Sequence, residues 1–151
     1  MFPTVLSISL SGFFISEKKH MFDELEKYKN NGHLFYKIGD DVLKLSQKLP
    51  NESGVFYILK LTKGKIKLTY IGKSDSTKAD NKTLNSLFSD REKGISLHHF
   101  FDKKMKEEEI DALDIYWFVT DNDNPTDVAN KVLQNNYDLF GSLPDWNKSF
   151  K

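Results

Sequence analysis

The sequence contains few side chains that are clear candidates for catalysis or ligand binding, and the first of them is a single arginine. The chain has 22 basic residues, and Arg91 is the only arginine among them. A guanidinium is a planar fork of donors that matches phosphate or carboxylate, so bidentate anion binding has one candidate residue. His98, beside His99, is a candidate for proton transfer, because imidazole titrates near neutral pH. The absence of cysteine excludes thiolate chemistry, disulfides and Cys-ligated metal centres.

Acidic and histidine clusters give little support for a metal site. Adjacent side chains on a helix point about 100° apart, so we expect His98 and His99 not to share one ion. The run of glutamates at 107–109 fans out around the end of a helix in the same way. Asp121 and Asp123 resemble the start of a calcium loop, but glycine at its sixth position and glutamate at its twelfth are missing.

Lysines and aspartates are concentrated in different parts of the chain. Five lysines and no acidic residue lie between positions 53 and 74, whereas seven aspartates and one lysine lie between 111 and 147. The formal net charge of zero therefore combines a basic segment with an acidic third. Lys65, Lys67 and Lys73 are candidates for contacts with nucleic-acid phosphates. The alternatives are a solvated strand edge protected by lysines and, for the acidic third, a surface for a basic partner.

Size and composition indicate one compact domain. The chain has 151 residues, of which 38% are hydrophobic and 13% aromatic, enough to bury a core. The first 16 residues carry no charged side chain and are interrupted by Pro3 and Gly12, which disfavours a signal peptide. We therefore expect a cytoplasmic protein with no membrane partner.

The elements that must position the candidate residues follow from apolar periodicity. Alternating or apolar runs predict strands at 6–11, 34–38, 54–61, 66–72 and 113–119, with a hairpin turn at 62–65. Helical spacing predicts helices at 21–28, at 43–49, from 84 to before 94, from 97 to the acidic run, and from Thr126 onward. Asp40 and Thr126 are the predicted caps of two of these helices. This order predicts an α+β layer fold.

Three motifs then occur in order along the chain. Gly54-Val55-Phe56 begins the first hairpin strand, Tyr70-Ile71-Gly72-Lys73-Ser74 ends the second, and Leu143-Pro144-Asp145-Trp146-Asn147 lies near the C-terminus. Together they resemble the GIY-YIG nuclease family over positions 50–147. The resemblance implies a domain at 50–151 with a central antiparallel or mixed sheet and flanking helices. Residues 1–49 would then form a strand–helix extension that packs on this core.

The family's chemistry is phosphodiester cleavage by water with one divalent metal ion, Mg²⁺ or Mn²⁺. Tyr70 matches the family's second-strand tyrosine, and Asn147 matches the asparagine that braces the site. Phe56 stands in place of the first-strand tyrosine and has no hydroxyl group. Its neighbour Tyr57 should point to the opposite face of the strand, unless a one-residue bulge turns it.

The remaining family positions are also altered. Leu87 falls where the family has an arginine, and Arg91 lies one helical turn later on the same predicted face. The metal-binding glutamate falls near Ala129 or Asn130, and Asp127 is the nearest carboxylate, about one turn early. The chain has no glutamate after position 109.

These changes favour a degenerate nuclease that needs no cofactor and binds nucleic acid, DNA in particular, or regulates a nuclease system. Its groove would present Lys73, Tyr70, Arg91, Asn147 and His98 to a phosphate backbone. One alternative is an active Mg²⁺- or Mn²⁺-dependent DNA endonuclease that uses Tyr57, Tyr70, Arg91 and Asp127. Another is a protein-interaction module that retains the fold alone.

Overall fold

A four-stranded antiparallel sheet organises the protein. The computed structural model describes residues 21–75, 83–88 and 97–148. The strands are β1 (Asn31–Tyr36), β2 (Gly54–Thr62), β3 (Lys65–Ser74) and β4 (Ala112–Val119), in the spatial order β1-β4-β2-β3. The helices are α1 (Val42–Gln47), α2 (His98–Glu108) and α3 (Pro125–Phe140), with short 3₁₀ turns at Asp23–Leu25 and Leu84–Leu87. The described part is therefore α+β, and its strand pairs are all antiparallel.

The predicted hairpin is confirmed, with slightly longer strands. β2 and β3 pair from Gly54 opposite Ser74 to Thr62 opposite Lys65, and β4 pairs with the other side of β2. The pairing of β2 with β3 shifts register after Ile58, where Thr69 is the extra residue. Such a bulge bends and twists its own strand. The central position of β2 places the first motif in the middle of the sheet.

The region predicted as an extension contributes a strand to the same sheet. β1 pairs with β4 in continuous register, from Asn31 opposite Phe118 to Tyr36 opposite Leu113. It begins three residues before the predicted start, because residues 31–33 continue the ladder with β4 instead of ending a helix. The strand predicted at 6–11 lies outside the described residues.

Strand alternation gives the sheet two covered faces. The α2 face carries Phe56 and Ile58 of β2 and Leu113 and Ile115 of β4, which pack on helix α2 through Phe101. The α3 face carries four apolar residues of β2 and β3, which pack on helix α3, namely Val55, Tyr57, Leu59 and Ile71. Side chains on one face are separated from those on the other by the thickness of the sheet.

Both predicted helix caps are wrong by one or two residues. Asp41, not Asp40, caps α1 by accepting hydrogen bonds from the backbone of Leu43 and Lys44. Asn124, not Thr126, caps α3, because Pro125 occupies the first helical position and the cap must precede it. Proline suits that position since its missing N–H would have no partner within the helix.

Two predicted helices differ from the structure. In the segment 21–28, Met21 is α-helical and Asp23–Leu25 forms a 3₁₀ turn, and Leu25 and Tyr28 still face the α3-side core. The helix predicted from Leu84 is a 3₁₀ turn through Leu87, and positions 89–96 lie outside the described residues. Within the described ranges, none of the helices combines the length and apolarity that crossing a bilayer requires.

Candidate functional site

Tyr70 lies on the α2 face, near the middle of β3. Its ring is 5.8 Å from the ring of Phe56 and 6.1 Å from the ring of Phe100 of α2, measured between centroids. It is half-buried at the margin of the core cluster that contains Phe56. Of the two candidate tyrosines, Tyr70 is therefore the one on the face that α2 and the turn at Leu87 cover.

Phe56 occupies the position of the missing tyrosine as a core residue. Only 1% of its surface is exposed. Its ring packs so closely on Gly72 that a Cβ atom at that position would lie 2.5 Å from Phe56 Cζ and 2.7 Å from Tyr70 Cε2. The para carbon of Phe56, where a tyrosine would carry its hydroxyl, thus lies against the backbone of the second motif.

Tyr57 lies on the opposite face, as strand alternation predicts. It is buried on the α3 face, and its ring stacks on Phe22 at 4.1 Å and on Tyr116 at 4.9 Å. Burial, followed by the nearby Tyr116 and Asp114, raises the pKa of its hydroxyl far above the usual value. The bulge lies at Thr69 of β3, beyond the Tyr57 pair, and does not turn Tyr57 toward Tyr70.

Helix α3 carries Asp127 and Asn130, and this helix packs on the α3 face. Asp127 is exposed in the first turn, where its backbone N–H donates to the cap Asn124. Asn130 is half-buried one turn later. The predicted metal ligand Asp127 is thus on the helix that covers Tyr57, and the sheet separates this helix from the Tyr70 ring.

Asn147 braces the outer edge of β3. Its side-chain oxygen accepts from the Ile71 N–H at 2.9 Å, and its side-chain nitrogen donates to the Ile71 carbonyl at 2.9 Å. The Trp146 N–H donates to the Thr69 carbonyl at 2.9 Å, so the C-terminal segment continues the ladder. Asn147 therefore holds the backbone between Tyr70 and Gly72 by imitating a neighbouring strand.

His98 lies at the start of α2, on the α2 side of the sheet. Its ring is 6.2 Å from the ring of Phe88, which belongs to the same core as Leu87 and Phe56. Burial, with a smaller contribution from His99, lowers the pKa of His98. Arg91, the predicted phosphate-binding residue, lies outside the described residues.

The predicted basic surface is partly neutralised within the chain. Lys67 pairs with Asp145 at 2.9 Å, and Lys60 pairs with Glu108 at 2.6 Å. Trp146 Nε1 donates to the second oxygen of Glu108 at 2.9 Å. Burial alone would raise the pKa of Glu108, but the hydrogen bonds from Lys60 and Trp146 outweigh it and hold the pKa below its usual value.

Lys65 and Lys73 differ from these two paired lysines. Within the described ranges, neither of them makes an ion pair. Lys65 is exposed beside the hairpin turn, and Lys73 is half-buried at the far end of β3. Of the three predicted phosphate contacts on β3, Lys65 and Lys73 thus remain available, whereas Lys67 is held by Asp145.

Several aspartates of the acidic third, positions 111–147, form ion pairs or hydrogen bonds with other residues of the chain. Besides Asp145, Asp114 pairs with His33 at 2.8 Å, and Asp123 accepts a hydrogen bond from Tyr28 at 2.5 Å. Asp111 accepts from the backbone N–H of Lys63 at 3.0 Å. These contacts weaken the alternative that the acidic third docks a basic partner, because four of its aspartates already have partners.

Sequence reasoning missed Asp102 and Tyr36. Asp102 lies one helical turn after His98, and the Tyr36 hydroxyl of β1 donates a hydrogen bond to its carboxylate. The spacing His98-x-x-x-Asp102 is a visible signal, because residues four apart on a helix lie on one side. The link to Tyr36 spans 66 positions and depends on the tertiary fold.

The predicted site residues therefore fall into two groups. Tyr70, Phe56, Leu87 and His98 lie on the α2 side of the sheet, whereas Tyr57, Asp127 and Asn130 lie on the α3 side. Asn147 holds the edge of β3. Comparison of this chain with protein-family models, curated proteins and solved structures found no match.

Proposed function

We propose that this chain is a catalytically degenerate, nuclease-like domain of GIY-YIG type that binds nucleic acid without cleaving it efficiently. One observation carries the proposal: the groups that would act on a phosphate are divided between the two faces of the sheet. Tyr70 is on one face, and Tyr57 and Asp127 are on the other. The resemblance of the three motifs to those of GIY-YIG nucleases is the reason for proposing nucleic acid as the ligand.

Cleavage of a phosphodiester requires these groups to converge on one phosphate. The nucleophilic water, a fixed cation and a metal-binding carboxylate must reach the same few atoms, because charge develops there in the transition state. Phe56 contributes no hydroxyl on the α2 face, and Asp127 is carried by the helix on the other face. Loss of one charge-stabilising donor typically slows a reaction about 10²–10³-fold. The combined changes therefore favour binding over catalysis.

Packing explains how the motifs persist without this chemistry. A Cβ atom on Gly54 would lie 2.1 Å from the Phe118 carbonyl oxygen, and one on Gly72 would lie 2.5 Å from Phe56. Both glycines are therefore required by close approach of neighbouring groups, independently of any reaction. Asn147 is also required for structure, because its side chain is hydrogen-bonded to the N–H and the carbonyl of Ile71. A domain that has lost catalysis would still need these residues in order to fold.

Lys65 and Lys73 are the described residues that best fit phosphate contact. They lie eight positions apart on β3, which corresponds to about 25 Å along a strand. Lys65 lies on the α2 side with Lys67, whereas Lys73, which is opposite Val55, lies on the α3 side, because the bulge at Thr69 shifts the alternation between them. A nucleic-acid strand that contacts both lysines would therefore pass along the outer edge of β3, with one lysine at each end of the footprint. Lys67 lies between them but is paired with Asp145. We therefore assign phosphate binding to Lys65 and Lys73, together with Arg91.

The double variant Lys65→Glu, Lys73→Glu is expected to weaken binding to a labelled DNA duplex at least about tenfold and to reduce the slope of log K against log salt by about 2. The physical reason is that each phosphate contact releases about one counterion when the complex forms, so the loss of two contacts lowers the number released by about two. Fluorescence anisotropy at several salt concentrations measures both quantities.

The matched control is the double variant Lys106→Glu, Lys131→Glu. It makes the same change in net charge at exposed positions of α2 and α3 and leaves β3 intact. We expect it to retain most of the affinity. Equal loss in both double variants would mean that net charge, and not the β3 surface, governs binding.

A further inference from the structure

Three potential metal ligands converge at the start of α2. The ligand atoms of His98, His99 and Asp102 all lie within 4.8 Å of one another. We propose that these three side chains bind a divalent transition-metal ion such as Zn²⁺. The site is distinct from the family's carboxylate position near Asn130, and it does not depend on the proposed binding of nucleic acid.

The expectation that the two histidines diverge is wrong for this helix. Their ring centroids are 4.1 Å apart, because each ring extends well beyond its Cα atom and the two side chains bend toward each other. Asp102 lies four positions after His98 and three after His99, so all three side chains share one side of the first turn.

The donor set selects the class of metal. Two imidazole nitrogens and one carboxylate oxygen suit Zn²⁺ and its first-row neighbours, whereas Mg²⁺ and Ca²⁺ prefer oxygen ligands alone. Tetrahedral Zn²⁺ with bonds of 2.0–2.1 Å places its ligand atoms about 3.4 Å apart. Because the ligand atoms already lie within 4.8 Å of one another, each pair would have to close by at most about 1.4 Å. Three protein ligands would leave a fourth position for water or another ligand.

A hydrogen bond from strand β1 orients the carboxylate of Asp102. Tyr36 is buried in β1, and its hydroxyl donates to Asp102 Oδ1, which leaves Oδ2 to face a metal. Partners of this kind orient metal ligands, and their loss typically costs 10–100-fold in affinity. His98 is also held, with its ring 6.2 Å from that of Phe88. Two of the three ligands are thus positioned by the core.

Titration of the full-length chain with ZnCl₂ in a calorimeter tests the proposal. We expect one saturable site per chain, no saturation with MgCl₂, and at least about tenfold weaker Zn²⁺ binding for His99→Ala, whose exposed side chain can be removed without disturbing the core. Tyr36→Phe, which keeps the ring, is expected to weaken binding about tenfold. Zn²⁺ should also raise the unfolding temperature of the wild type and not that of His99→Ala.

His33→Ala is the matched control, because His33 pairs with Asp114 on the α3 face and should play no part. Its Zn²⁺ affinity is expected to equal that of the wild type. The proposal is overturned if the wild type shows no saturable Zn²⁺ binding, or if His98→Ala and His99→Ala bind Zn²⁺ as tightly as the wild type does. Either outcome is independent of DNA binding, which is measured separately.

Discussion

Replacement of Gly54 by alanine is expected to destabilise the protein by about 3 kcal/mol or more, the largest effect of any single methyl group added to the sheet. The new Cβ atom would lie 2.1 Å from the Phe118 carbonyl oxygen and 2.8 Å from Leu84 Cδ1. The carbonyl belongs to β4, which pairs with β2 along its length, so the backbone cannot move without breaking the ladder. Urea denaturation of both proteins measures the difference.

Gly72→Ala provides an informative comparison. The atoms nearest to its Cβ atom would be the ends of two side chains, Phe56 and Tyr70, whereas for Gly54 the nearest is a backbone oxygen. The loss should therefore be partly relieved in the double variant Gly72→Ala, Phe56→Leu, with a favourable coupling of about 1 kcal/mol. Leu84→Ala should give no comparable relief to Gly54→Ala. If it restores the stability of Gly54→Ala, the clash with the carbonyl is not the cause.

Asn147→Ala is expected to cost about 3 kcal/mol, because it leaves the N–H and the carbonyl of Ile71 without partners in a buried place. Both hydrogen bonds of the native side chain are 2.9 Å long, and Ile71 is 1% exposed. Chemical denaturation measures the loss of stability. Hydrogen exchange of the Ile71 amide should become much faster than in the wild type.

The control for this variant is Asn122→Ala, in the exposed loop before α3. It should change the stability by less than about 0.5 kcal/mol, as surface substitutions usually do. A loss below about 1 kcal/mol for Asn147→Ala, with unchanged exchange at Ile71, would contradict the bracing role. It would also remove one of the packing reasons for the persistence of the third motif.

Local pattern predicts three of the described strands to within two residues at each end. β2, β3 and β4 were recognisable because apolar and β-branched residues dominate them, and the glycine at position 64 marks the turn between β2 and β3. The same alternation correctly sends Tyr57 to the face opposite Tyr70. These predictions succeed because each depends on residues within a few positions of one another.

Features that depend on distant residues could not be predicted in this way. The pairing of Lys67 with Asp145 spans 78 positions, and the bond from Tyr36 to Asp102 spans 66. Charge composition alone shows a basic segment and an acidic one but not that they bind each other. The convergence of His98 and His99 depends on side-chain rotation, which the helical angle between adjacent residues does not determine.

The locations of the candidate site residues could be predicted only in part. Strand alternation predicts on which face of the sheet each strand residue lies. The face on which a helix packs depends on the tertiary fold, so local sequence pattern does not predict it. Helix α3 lies on the face opposite Tyr70, so Asp127 does not belong to the same site as Tyr70. The division of these groups by the sheet is thus the feature on which the proposed loss of cleavage depends.

One gel experiment tests binding without cleavage most directly. Supercoiled plasmid is incubated with excess protein at ~50 mM salt in Mg²⁺ or Mn²⁺, and samples are run before and after the protein is removed. We predict that the plasmid is retarded before removal of the protein and remains fully supercoiled after it. Nicked or linear DNA that disappears with both Tyr70→Phe and Arg91→Ala, or no retardation of the plasmid, would contradict the account.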